Sequence, residues 1–158
     1  MRPEVRKEGA ISASIDVTVA FHDIDIIGVM WHGHYLKYLE TARWALMERL
    51  DFGYQTMVES GYAWPIVEMH VKYLHAARMG DRLNVRASLI EWENRITMNY
   101  LVTRSADQER LARARSVQVA VDFTNGLVTS IESHMGTPYY GNETTYRALF
   151  GVIEMEGI

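Results

Sequence analysis

The chain has 158 residues, 48% of them hydrophobic and 23% charged, a composition that excludes intrinsic disorder and collagen-like repetition and predicts one domain with its own core. It contains no cysteine, which excludes disulfides, thiolate catalysis and cysteine-bound zinc and suits a reducing compartment. The net charge of −4 argues against a nucleic-acid binder, and no apolar run reaches the ~20 residues of a membrane span, so we expect a cytoplasmic protein.

The first predicted elements are a strand and a long helix. Apolar residues occupy every second position from Ile15 to Phe21, the pattern of a strand with one buried face. After a glycine-containing loop, residues 34–50 contain neither glycine nor proline and are rich in helix formers. The apolar residues of this helix cover a wide arc, so we expect other elements to enclose it. A short second helix is predicted at 54–60.

Beyond residue 63 the apolar residues alternate with a period of two. This pattern predicts strands at about 67–73, 83–89, 96–102 and 117–123. Short polar turns join them, so consecutive strands are predicted to be antiparallel neighbours. Further predictions are a turn at Glu93-Asn94, a turn at Asn125-Gly126 and a short helix at 142–150. The fold class is therefore α+β, with the long helix packed across one curved antiparallel sheet.

The densest group of reactive side chains lies between the first strand and the long helix. Asp25 and His32 both fall in this loop, and a fold-back at Gly28 would bring them to one site. The start of the helix also leaves backbone N–H groups unpaired at its positive end. A carboxylate beside such donors supplies the base or nucleophile and the oxyanion stabiliser of acyl-transfer chemistry. Asp23, at the end of the strand, is predicted to stabilise the turn.

The loop and helix together resemble the 4-hydroxybenzoyl-CoA thioesterase family and its bacterial acyl-CoA thioesterase branch. The similarity covers about 15–123, and its most specific parts are the run DIDIIGVMWHGHY from Asp23 to Tyr35, Glu40 and Arg43, Trp64-Pro65, Val71-Lys-Tyr73 and Gly80-Asp81. It implies a hotdog fold, in which a curved antiparallel sheet wraps a long central helix. A single domain is then expected over 1–158, with a core at about 13–130 and a C-terminal extension at about 131–158.

The resemblance also implies roles for individual residues. Asp25 is the expected catalytic carboxylate, as nucleophile or general base, and the backbone N–H of His32 is expected to bind the thioester carbonyl. The expected substrate-binding residues are Gly28, Trp31, Tyr35, Lys72 and Arg78, the last two as partners of CoA phosphates. The substrate is then an acyl-CoA or acyl-carrier-protein thioester, and the protein a homodimer, with a tetramer of two dimers as the larger assembly.

Glu40 and Arg43 are predicted to form a structural ion pair near the site. Arg43 falls inside the apolar arc of the helix, where an unpaired charge would be costly, and Glu40 lies one turn before it. The alternative is that Glu40 is itself the catalytic carboxylate, as in another group of hotdog thioesterases. His32 and His34 form a His-x-His pair, but four ligands of suitable geometry are not evident, so no metal and no cofactor are expected.

Two other functions remain open for the same fold. One is a hydroxyacyl-thioester dehydratase or hydratase, which needs a histidine and an acidic residue next to the carbonyl, although the spacing of Asp25 and His32 does not match that class. The other is a module that binds acyl thioesters without turnover.

Overall fold

A five-stranded antiparallel sheet with one long helix packed against it dominates the computed structural model, which describes residues 11–91, 95–124 and 127–128. The elements are β1 (Ser12–Thr18), α1 (Tyr35–Arg49), α2 (Tyr54–Ser60), β2 (Tyr62–Ala63), β3 (Ile66–Tyr73), β4 (Arg82–Glu91), β5 (Ile96–Arg104), β6 (Arg110–Gln118), β7 (Val121–Thr124) and β8 (Leu127–Val128). The strand order in the large sheet is β1-β4-β5-β6-β3, and β2, β7 and β8 form a second, small sheet. Among the helices of the described ranges, none is long and apolar enough to cross a membrane.

Helix α1 lies across the large sheet and contacts β1 and β4 most extensively. Its residues Leu39, Leu46 and Met47 are fully buried and share one core with the inward side chains of β4 and β5. Each such side chain contributes about 1.5–3 kcal/mol through its removal from water. Packing of the wide apolar arc therefore holds α1 in place, and the predicted α+β class and hotdog architecture are confirmed.

The predicted order of neighbouring strands is wrong for β3 and β4. These strands are consecutive in the chain, yet β3 pairs with β6 and β4 pairs with β1, both antiparallel. The segment between them runs along the end of the sheet. There the backbone N–H of Leu74 donates to the carbonyl oxygen of Leu111, and that of Gly80 donates to the carbonyl oxygen of Val19. A period of two identifies the buried face of a strand but not its hydrogen-bonding partner, which explains the error.

The last predicted strand, 117–123, is divided between two strands. β6 already begins at Arg110 and ends at Gln118, and β7 follows after a break at Val119 and Ala120. The first half of β6 alternates arginine with alanine, both weak indicators of a strand, so its sequence alone does not predict a strand. At the break the N–H of Val119 donates to Pro65, which directs the chain into the small sheet.

The remaining predictions differ less from the structure or cannot be compared with it. β1 ends at Thr18 instead of Phe21, because the chain turns through a 3₁₀ segment at Phe21–Asp23. A second 3₁₀ turn at His32–His34 precedes α1, whose bounds agree with the predicted helix to within one residue. The turns at Glu93-Asn94 and Asn125-Gly126, the helix at 142–150 and the extension at about 131–158 lie outside the described residues.

Candidate active site

The loop between β1 and α1 is anchored by the carboxylate of Asp23, which is fully buried. This carboxylate accepts a hydrogen bond of 3.2 Å from the backbone N–H of Ala20 and two more from Lys37 Nζ and the Tyr38 hydroxyl. Burial disfavours the ionised form of Asp23, but these donors outweigh it and hold the pKa at about 2. Asp23 is therefore an ionised structural anchor that ties the loop to the first turns of α1.

Asp25 lies two residues later, in a tight turn that reverses the chain. The turn is closed by hydrogen bonds from Gly28 N–H to the Asp25 carbonyl (3.0 Å) and from Asp25 N–H to the Val29 carbonyl (2.9 Å). Gly28 has φ +84°, a backbone conformation that side chains disfavour, so the predicted fold-back does occur at this glycine. Asp25 Oδ1 accepts a 2.9 Å hydrogen bond from Ile27 N–H, which orients the carboxylate.

The second part of the site is the 3₁₀ turn at His32–His34, which leads directly into α1. Two backbone hydrogen bonds hold the loop where it enters this turn. Met30 N–H donates to the carbonyl oxygen of Ala77 (2.8 Å), and Trp31 N–H donates to the carbonyl oxygen of Asp23 (2.9 Å). Within the described part of the chain, the N–H groups of His32 and Gly33 have no backbone acceptor, as is usual at a helix start. These donors can bind an oxygen that carries negative charge.

One pocket of about 370 Å³ unites the two parts. Its lining consists of Asp25, Ile27, Val29, Met30, His32, Tyr35, Tyr73, Leu74, His75 and Ala76. Of the residues predicted to act in catalysis or substrate binding, Asp25, His32 and Tyr35 line it. A carboxylate, a helix start and apolar walls in one pocket provide a base or nucleophile, an oxyanion stabiliser and room for an acyl group.

The structure adds Tyr73 and His75 to this pocket. The Tyr73 hydroxyl donates a 2.8 Å hydrogen bond to the carbonyl oxygen of His32, and its ring packs edge-on against Tyr35, with 5.1 Å between ring centroids. His75 Nε2 lies 2.8 Å from Glu109 Oε1. Sequence reasoning missed both residues as parts of the site, although the motif Val71-Lys-Tyr73 already belonged to the family resemblance.

Four of the predicted substrate-binding residues do not line the pocket. Gly28 forms the turn behind it, and the Trp31 ring packs against His32 and His34, with centroids 5.0 and 5.2 Å away. Lys72 lines a different depression, on the outer face of the sheet. Arg78 is exposed in the turn before β4, where its backbone N–H donates to the carboxylate of Asp81.

The helix residues Glu40 and Arg43 form an ion pair away from the pocket. Arg43 Nε donates to Glu40 Oε2 at 2.8 Å, and the buried guanidinium lies 5.4 Å from the centroid of Trp44. Tyr100 is close enough for both charges to influence its pKa, which burial raises to about 12. Within the described residues no group of three or more His, Cys, Asp or Glu side chains could hold a metal ion.

Comparisons with known proteins show which sequences this chain resembles. The sequence model of the Thioesterase-like superfamily matches residues 19–138. The acyl-CoA thioesterase YbgC of Haemophilus influenzae is 31% identical over 101 residues, which cover 59% of this chain and 74% of that protein. The Synechocystis protein sll0410 is 33% identical over 89 residues, which cover 52% of this chain. This chain therefore spans only about half, 54%, of the length of sll0410.

Solved structures share the same fold. A crystal structure of 4-hydroxybenzoyl-CoA thioesterase has a TM-score of 0.69 at 22% identity, covering 77% of this chain and 92% of that one. The protein TT1821 from Thermus thermophilus has a TM-score of 0.69 at 26% identity, covering 89% of this chain and 98% of that one.

Proposed function

The chain belongs to the thioesterase-like superfamily, and we propose that it hydrolyses acyl-CoA thioesters to the free acid and the thiol. Acyl-carrier-protein thioesters are the alternative substrates. The observation that carries the proposal is the position of the Asp25 carboxylate and the start of the helix at His32 on one pocket. The related acyl-CoA thioesterase of Haemophilus influenzae supports the same reaction.

In the proposed mechanism the thioester carbonyl oxygen lies against the N–H groups of His32 and Gly33. Asp25 either attacks the carbonyl carbon, which expels the thiolate and leaves an anhydride that water hydrolyses, or removes a proton from a water molecule that attacks directly. In both routes the C–S bond breaks and the acyl group takes an oxygen from water. The donors at the helix start stabilise the negative charge that develops on the carbonyl oxygen.

The test is a hydrolysis screen with short, long and aromatic acyl-CoAs and one acyl-carrier-protein thioester. The released thiol is detected with a colorimetric thiol reagent, to which the protein itself adds no background because it has no cysteine. We expect thiol release with at least one substrate. A parallel incubation with an enoyl-CoA that gives hydration without thiol release would instead identify a hydratase, and binding without turnover would identify a non-catalytic module.

We further propose that the protein is a homodimer, with a tetramer of two dimers as the larger assembly. Large apolar side chains stand in solvent around the pocket, among them Ile26, fully exposed, Ile27 at 75% and Trp31 at 45% exposure. Strand β3, which ends at the pocket with Tyr73, is also an edge of the large sheet. A second copy would cover both features, and light scattering that gives a monomer at micromolar concentration would contradict the proposal.

The proposed location of the protein is the cytoplasm, and the proposed reaction requires no metal or cofactor.

A further inference from the structure

The outer face of the large sheet, opposite α1, holds a depression of about 430 Å³ with a concentration of positive charge. We name it the basic pocket, and its ionisable lining residues are His70, Lys72, Arg86, Arg110, Arg113 and Arg115. No aspartate or glutamate is among the lining residues that the structure describes. The chain as a whole has a net charge of −4, so this concentration of cations does not follow from composition.

The register of the sheet places basic side chains of this pocket directly opposite one another. Lys72 on β3 is paired with Arg113 on β6, and in the adjacent row His70 on β3 is paired with Arg115. Like charges at directly opposite positions destabilise an antiparallel pair of strands. Within the described ranges, the side chains of Lys72, Arg113 and Arg115 also form no ion pair with a carboxylate that would offset the repulsion. An anion bound between them would remove this cost.

The shape and lining of the basic pocket restrict the anion to a small molecule with more than one negative group. The row Lys72, Arg113, Leu101, Arg86 crosses four adjacent strands, so cations stand on both sides of an apolar residue. Neighbouring strands are about 4.8 Å apart, which separates the two sides by roughly 10 Å. Guanidinium groups bind phosphate oxygens through two parallel hydrogen bonds, and Leu101 offers an apolar surface for an organic ring between them.

We propose that the basic pocket binds a small molecule with two or more phosphate groups, of the nucleotide type. It is separate from the pocket that contains Asp25, since the two share no lining residue. Two sources have this chemistry: the nucleotide portion of a CoA thioester bound by the same or a neighbouring subunit, and a free nucleotide that acts as an effector. Binding to this face does not depend on the proposed hydrolysis, so the two proposals can fail independently.

The experiment is titration calorimetry of the full chain at low ionic strength with four probes: CoA, adenosine 3′,5′-bisphosphate, ATP and inorganic tripolyphosphate. The variant Arg113→Gln/Arg115→Gln removes two cations of the basic pocket. The control Arg82→Gln/Arg95→Gln removes two cations that lie outside it. We expect at least one probe to bind the wild type and the control alike. Affinity for the first variant should fall about tenfold or more for each lost guanidinium, because a hydrogen bond to a charged group is worth at least about 1.5 kcal/mol.

The pattern of probes identifies the source of the ligand. Binding of CoA and the bisphosphate, without ATP, assigns the basic pocket to the nucleotide of the thioester substrate, whereas binding of ATP or tripolyphosphate without CoA assigns it to an effector. The proposal is overturned if no probe binds at about 1 mM or if the first variant and the control bind equally. It is also overturned if light scattering shows that the first variant changes only the oligomeric state, which would make this face a contact between copies.

Discussion

The hydroxyl of Tyr73, the last residue of the edge strand β3, donates a 2.8 Å hydrogen bond to the carbonyl oxygen of His32, 41 residues earlier in the chain. The bond joins the sheet to the turn whose N–H groups are the proposed oxyanion donors. We therefore expect Tyr73 to act on the proposed reaction through the position of His32, as a positioning residue.

Tyr73→Phe should lower kcat and leave the fold intact. The ring that packs against Tyr35 remains, and only the hydrogen bond to His32 is lost, which is worth about 0.5–1.5 kcal/mol. We therefore expect kcat to fall about two- to tenfold with KM changed less, measured on the best substrate of the screen. Tyr54→Phe, which alters an exposed hydroxyl on α2, is the matched control. Wild-type kcat in Tyr73→Phe would show that the bond does not position His32.

Asp25→Asn should abolish most of the activity without unfolding the protein. The amide oxygen can still accept the hydrogen bond from Ile27, but the group has lost its basicity and nucleophilicity. The loss of a general base costs about 10²–10⁴ in rate, and more if Asp25 attacks the thioester itself. Asp51→Asn is the control, because Asp51 is exposed and asparagine tolerates its positive φ of 54°. Near-wild-type turnover in Asp25→Asn would remove Asp25 from the catalytic role.

Asp23→Asn should reduce stability, in a manner that depends on pH. The pKa of Asp23 is about 2 in the folded state, against an ordinary value of 3.8. Ionisation of Asp23 therefore adds about 2 kcal/mol to the free energy of unfolding. Because the folded pKa is the lower of the two, this contribution is complete above about pH 4 and disappears as the pH falls towards 2. Urea unfolding at pH 7 should show the variant to be less stable than the wild type, with the difference shrinking at acid pH. A difference that is constant from pH 7 to 2.5 would contradict the assigned pKa.

Glu40→Gln distinguishes the structural role of the ion pair from a catalytic one. The substitution leaves the buried Arg43 guanidinium without its charged partner, which destabilises by several kcal/mol when the pair is well buried and by less here, because Glu40 is partly exposed. We expect a lower midpoint of thermal unfolding and a kcat within a few-fold of wild type. If folded Glu40→Gln protein has lost turnover while Asp25→Asn retains it, the catalytic carboxylate is on the helix.

Gly33→Ala tests the start of the helix without changing any charge. A Cβ at this position would overlap the ring of Trp31, so the ring must leave its place against His32 and His34. We expect a change in tryptophan fluorescence together with a fall in kcat. Gly53→Ala is the control, since its Cβ would meet only Glu48 Cγ at 3.7 Å. An unchanged emission spectrum and unchanged kcat would mean that the Trp31 packing is irrelevant to the site.

Much of the architecture could be predicted because the relevant signals are local in the chain. The bounds of α1 follow from helix formers between a glycine-rich loop and Gly53, and the core-facing sides of β3, β4 and β5 follow from their period of two. Asp25, the fold-back at Gly28 and the start of the helix are close together in the sequence. The part of the site made by the loop and the start of the helix could therefore be predicted from the sequence.

The tertiary structure decided everything that depends on which distant segments become neighbours. Alternation of apolar residues does not specify that β3 pairs with β6, and this pairing alone brings Lys72 opposite Arg113. The end of β3 and the segment that follows it likewise carry Tyr73 and His75 to the pocket of Asp25. These contacts are selected by the packing of the whole core and the hydrogen bonds of the whole sheet, whereas a sequence pattern reports only the local preference of each segment.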